Sequence, residues 1–177
     1  MYQSPRLVLV ASLIALSTGV SLMGDAQATT AIRSFVQNAT GACQAALPAF
    51  EGLVRKRPLA VQNEGGSLAY VSCSLMSTDK GVGTTRSMYG VYIGFINYSG
   101  APVDVTCTLV DGVANSGSNA SIAKTVSVPV TGYVQLGWTS GDNGGSNFLY
   151  TTNASCALPP GTGVSYTWAY YSEDVGA

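Results

Sequence analysis

The 177-residue chain contains no histidine. That alone removes Ser-His-Asp and Cys-His nucleophilic arrangements and the commonest zinc ligand. Four cysteines stand at Cys43, Cys73, Cys107 and Cys156, and no two have CxxC spacing. An even count in a chain with export features reads as two disulfides rather than a metal site or a reactive thiol. Three pairings are possible. Cys43–Cys73 and Cys107–Cys156 are favoured, because each joins segments expected to be neighbours. No cofactor is expected.

The remaining reactive residue types each have an ordinary explanation. Ser121-Ile-Ala-Lys124 has the spelling of a Ser-x-x-Lys nucleophile motif. That motif works at the start of a helix, whereas here it falls in a predicted strand. Two carboxylates facing each other can hydrolyse a glycoside. The candidates are Glu51, Glu64, Asp79, Asp104, Asp111, Asp142, Glu173 and Asp174. Most fall in predicted turns or at chain ends, and Asp104 faces outward from a strand. Asp142, Asn143 and Asn147 form an oxygen-rich stretch that could hold calcium. Asp/Asn/Gly clusters also make turns for backbone reasons, which is the preferred reading.

The aromatic surplus is more informative. The chain has ten tyrosines, and Tyr92, Tyr133 and Tyr171 fall on faces expected to point outward, with Tyr98 in a turn. Flat rings on a β-surface can stack on sugars, so these three are possible glycan contacts. The competing reading is cross-strand packing. Arg55-Lys56-Arg57 is the one basic cluster, and it reads as a solvated, charged edge. Asn-x-Ser/Thr triplets occur at Asn38, Asn97, Asn119 and Asn153. These would be glycosylation acceptors in a eukaryotic secretory route.

The elements that would position these residues are strands. Val103, Val105, Cys107 and Leu109 alternate with Asp104, Thr106 and Thr108. Val91, Ile93 and Phe95 share one face, with Tyr92 and two glycines opposite. Side chains alternate across a strand, so each run has one oily face. The two runs, with Ser-Gly-Ala-Pro between them, predict a hairpin over 87–111. Ala69, Val71, Cys73 and Leu75 repeat the pattern, as do Phe148, Tyr150, Ala154, Cys156 and Leu158. Ile122, Val126, Val128 and Val130 share a parity, with Lys124 the misfit, and Pro129 marks an edge or an end. Thr131-Gly132 suggests a tight hairpin into Val134, Leu136 and Trp138. The last strand is expected to place Val164, Tyr166, Trp168 and Tyr170 on one side. Between residues 29 and 58 only short strands near Cys43 and residues 53–56 are expected, since Gly41, Pro48 and Gly52 interrupt anything longer.

About eight or nine short strands with turns between them predict an all-β fold. The expected form is a single antiparallel β-sandwich, Ig-like or jelly-roll-like, over residues 29–177. Residues 1–28 read as a cleaved signal peptide. Arg6 precedes an apolar run over 7–23, and Ala26-Gln27-Ala28 has the small-x-small form of a cleavage site. Its removal takes Arg6 and Asp25 together and leaves the net charge at −1. Only 10% of residues are charged, which leaves no basic face for nucleic acid. No membrane contact is expected after cleavage.

Three stretches carry a resemblance. They are Asn63-x-Gly-Gly-Ser-x-x-Tyr-Val-x-Cys73, Val105-x-Cys-x-Leu109 and Ser155-Cys-x-Leu-Pro-Pro160. Together they resemble a set of small exported bacterial proteins with four cysteines on β-strands. The resemblance implies a secreted or periplasmic β-protein and brings no catalytic residues. The functional expectation is a secreted, non-enzymatic binding or structural protein that touches a glycan or protein surface. The alternatives are a carbohydrate-binding module using surface tyrosines and a weak glycoside hydrolase.

Overall fold

In β6 (Met88–Asn97), Val91, Ile93 and Phe95 are fully buried, while Gly90, Tyr92 and Gly94 take the opposite parity. The same alternation recurs along the chain and produces two sheets. The computed structural model describes residues 30–75, 88–112, 119–145 and 151–175. Its other strands are β1 (Thr30–Asn38), β2 (Cys43–Ala45), β3 (Val54–Arg57), β4 (Ala60–Asn63) and β5 (Ala69–Ser74). They continue with β7 (Val103–Asp111), β8 (Ala120–Val128), β9 (Val134–Thr139), β10 (Thr152–Leu158) and β11 (Thr162–Asp174). One helical turn, α1 (Ala39–Ala42), follows β1.

All pairings are antiparallel. The five-stranded sheet has the order β2-β5-β10-β7-β8. The six-stranded sheet runs β3-β4-β11-β6-β9, and β1 also pairs with β11. Their inner faces form one core. Val91, Ile93, Phe95 and Trp138 from one sheet bury against Val71, Val105, Leu109 and Leu158 from the other. Burying each such side chain contributes about 1.5–3 kcal/mol. The architecture is therefore an antiparallel β-sandwich, as the alternation predicts. It has eleven described strands rather than eight or nine; one of them, nine-residue β1, fills a stretch whose sequence pattern is too weak to assign.

Both disulfides follow the favoured pairing, Cys43–Cys73 and Cys107–Cys156. Each joins directly opposed residues on neighbouring strands, β2 with β5 and β7 with β10. All four cysteines are buried. Both cross-links therefore lie within the five-stranded sheet.

The expected hairpin over 87–111 does not form. β6 pairs with β11 and β9, whereas β7 pairs with β10 and β8, so the turn between them crosses from one sheet to the other. Alternation identifies the face a strand buries and says nothing of its ladder partner. Asn97 makes the crossing. Its Nδ2 donates to Ala101 O at 2.7 Å and to Val128 O at 3.0 Å, and its Oδ1 accepts from Ser99 N at 2.8 Å. Asn63 repeats the device between β4 and β5. Its Nδ2 donates to Ser67 O at 2.8 Å and Leu158 O at 2.7 Å, and its Oδ1 accepts from Gly65 N at 3.0 Å. Each buried amide ties its own loop to the end of a strand in the facing sheet.

The second expected hairpin is also a crossing, since β8 and β9 are edge strands of different sheets. Here the misfit Lys124 finds its reason. Its Nζ donates to Gly137 O on β9 at 2.8 Å and meets Asp142 at 2.7 Å. In return Trp138 Nε1 donates to Ile122 O on β8 at 3.0 Å. The two bonds close the open side of the sandwich.

Candidate functional site

The site begins with one extra residue in β11. Val164 pairs with Phe95 and is buried, but the next paired residue, Tyr166, faces Gly94. Ser165 is thus a bulge, and an inserted residue reverses the parity of every later position in the strand. Thr167 and Ala169 turn inward, and Tyr166, Trp168 and Tyr170 turn outward. This corrects the expectation that Val164 shares a face with those three aromatics. The period-2 reading has no place for a bulge.

The outward rings form a stripe across the six-stranded sheet. Trp168 and Tyr170 lie with ring centroids 4.5 Å apart, and Tyr92 reaches both, at 5.6 and 5.9 Å. Tyr133, 67% exposed, meets Tyr166 edge-on at 6.4 Å. Each of these contacts adds about 0.5–1.5 kcal/mol beyond area burial. Gln135 Nε2 donates to the Tyr166 hydroxyl.

Glycines hold the rings down. Tyr92 is paired with Gly137, Tyr166 with Gly94 and Tyr170 with Gly90. A Cβ on Gly137 would fall on the Tyr92 ring, and one on Gly94 would fall on the Tyr166 ring. With hydrogen in place of a side chain, the opposite ring drops onto the backbone and lies across it. The result is a low aromatic surface.

A groove of about 480 Å³ opens at one end of the stripe. It lies at the bulge, where β11 changes its neighbour on one side from β4, at Gly163–Val164, to β1, from Tyr166 onward. Tyr98, Tyr133 and Tyr166 line it together with Val36, Leu59 and Ile96. Asn38 and Ser165 supply its polar atoms, and no charged side chain lines it. Ser165 Oγ and Trp168 Nε1 are buried and have no hydrogen-bond partner among the described residues. Buried polar groups are rarely left so.

The residues singled out from sequence scatter around this face. Tyr92 and Tyr133 belong to it. Tyr171 does not, since it pairs with Met88 and Arg33 on the other side of β11. Sequence reasoning missed Tyr166, Trp168 and Tyr170. Their signal was the pairing of an i, i+2, i+4 aromatic run with Gly90, Gly94 and Gly137 at outward positions.

The other candidates are engaged elsewhere. Asp142 Oδ1 meets Lys124, and its Oδ2 accepts from Thr139 N at 2.7 Å. These bonds, the one from Lys124 foremost, hold the Asp142 carboxyl below the usual range. Asn143 shares its short 3-10 turn, and Asn147 lies outside the described residues. Glu64 is bonded by Arg57 and Glu173 by Arg33. Asp104 is exposed; Asp111, expected in a solvated turn, is 1% exposed at the end of β7. Asp79 lies outside the described residues. A second groove of about 350 Å³ beside β2 and β3 contains one carboxylate, Glu51. Neither groove assembles the two facing carboxylates that glycoside hydrolysis requires. Ser121 and Lys124 take opposite parities of β8 and do not meet as a nucleophile and base. Asn38 and Asn97 serve as structural hydrogen-bonding groups.

No protein-family model and no curated protein matches the chain. Among solved structures it is similar to the C-terminal family 6 carbohydrate-binding module of a marine laminarinase from Zobellia galactanivorans. The identity is 10% and the TM-score 0.46, over 77% of this chain and 98% of that one. It is also similar to a family 35 carbohydrate-binding module from Cellvibrio japonicus, at 12% identity and TM-score 0.44, over 77% and 92% of the two chains. At scores this low the likenesses decide neither topology nor ligand.

Proposed function

We propose that the chain is a non-enzymatic binding protein that works in an oxidising compartment outside the cytoplasm. Its ligand is a neutral carbohydrate, held on the outer face of the six-stranded sheet. The observation that carries this reading is the solvent-facing aromatic stripe of Tyr92, Trp168 and Tyr170, which runs by way of Tyr166 and Tyr133 into an uncharged groove. Sugars present apolar C–H faces and polar edges. Flat rings suit the former, and the hydroxyls of the exposed Tyr98 and Tyr133 at the groove suit the latter. Two buried disulfides fit export, and residues 1–28 fit a signal for it.

The test is retention of the purified protein on neutral insoluble polysaccharides, followed by calorimetry with soluble oligosaccharides. Trp168→Ala and Tyr133→Ala are expected to abolish retention, while Tyr171→Ala leaves it intact. Absence of binding to every neutral polysaccharide tried would overturn the reading.

A further inference from the structure

We propose that β1 pairs through its free edge with β1 of a second copy, antiparallel, about a two-fold axis at Ser34. The sheets' other terminal strands are each blunted. β3 carries exposed Arg55, Lys56 and Arg57 and runs into Pro58. β2 has three residues. β8 and β9 are closed against each other by Lys124 and Trp138. Charge, shortness and cover are the usual protections of a sheet edge. Among the described residues β1 is neither short nor covered, and its one charge, Arg33, is paired with Glu173 of its own sheet. It is nine residues long, contains no proline, and pairs only with β11 among the described residues.

Its side chains favour its own kind as occupant. Ile32 is 74% exposed, Val36 61% and Phe35 43%. With Ser34 opposite Ser34, Ile32 of one copy faces Val36 of the other, twice. Arg33 faces Phe35 of the second copy while keeping Glu173 at 3.0 Å. No like charges meet, and the most exposed apolar residues, Ile32 and Val36, face each other. An isologous interface of this kind closes at two copies. Because directly opposed residues share a face, the two aromatic stripes lie on the same side of one continuous sheet.

Sedimentation equilibrium of the purified protein is expected to give a dimer, and Ile32→Lys to raise its dissociation constant by roughly tenfold or more. Ile32 is exposed, so the variant folds, which circular dichroism verifies. Ser34→Cys is expected to cross-link two copies under mild oxidation, because opposed Cβ atoms lie about 5 Å apart. Ser127→Cys on β8 is expected to remain uncross-linked. A monomer at every concentration overturns the proposal, including one whose β1 amides are protected by residues of its own chain. So does a dimer that tolerates Ile32→Lys without a Ser34→Cys cross-link. Neither result touches sugar binding by a single copy, which calorimetry reads separately.

Discussion

The ring of Tyr92 lies across Gly137, its cross-strand partner, in the space any larger residue would need for its Cβ. The height of the aromatic face above the backbone is therefore set by an absent side chain on the neighbouring strand.

Gly137→Ala is expected to destabilise the protein by about 1–3 kcal/mol, the scale of overpacking. Glycine-to-alanine changes inside strands ordinarily help by about 0.5–1 kcal/mol, so the sign itself is diagnostic. Urea unfolding of Gly137→Ala, Tyr92→Ala and the double variant checks it. With the ring gone the alanine costs little, and the double variant is more stable than the sum of the singles predicts. Additive effects would mean that the two residues do not meet.

Asn97→Ala is expected to cost about 1–3 kcal/mol, because it removes the donor to the buried Val128 carbonyl, whereas Ala101 O keeps the Ser99 hydroxyl. Asn63→Ala should cost a similar amount, because it removes the donor to the buried Leu158 carbonyl. Denaturant melts of the two variants check this. Losses below about 0.5 kcal/mol would show that the crossings hold without their amides.

Acid should find Asp142. Its folded carboxyl, bonded by Lys124 and the Thr139 amide, ionises more readily than the unfolded one. As pH falls, the unfolded chain takes up the proton first. The stabilisation is thus complete above the ordinary aspartate range near about 3.9 and is lost as pH falls through and below it. Asp142→Asn is expected to cost about 0.5–1 kcal/mol at neutral pH, as for a partly exposed pair. The gap should narrow as pH falls below that range and close once the native carboxyl is protonated too. Melting curves at both ends read the difference.

Reduction of the disulfides is expected to act on the five-stranded sheet. The bridges close separations of 30 and 49 residues, and each contributes about 3–4 kcal/mol by constraining the unfolded chain. Single Cys43→Ala/Cys73→Ala and Cys107→Ala/Cys156→Ala pairs, followed by urea unfolding, separate the two. A larger loss for the longer loop is expected.

Much of the fold is legible in particular residues. Ala69, Val71 and Cys73, or Val105, Cys107 and Leu109, declare a buried face, and the cysteines on those faces point to their pairing. Ladder partners are not legible in this way. β6 and β7 alternate like a hairpin and yet lie on opposite sheets, because burying one face is satisfied equally by either arrangement. The site was hidden by a single residue. Without the Ser165 bulge, Tyr166, Trp168 and Tyr170 would continue the buried parity of Val164. Side-chain alternation carries no mark of where it will be interrupted. Lys124, by contrast, was visible as a misfit, and only the neighbouring β9 backbone explains it.

The strand that carries most of the stripe, β11, is also the last described strand to be synthesised. It stands between β6 on one side and β1 and β4 on the other, so three earlier strands wait for it. The five-stranded sheet has all its members once β10 is made, whereas its partner has no centre until the final segment emerges. Shortening the chain by even a dozen residues at that end would remove the middle of a sheet rather than trim a tail.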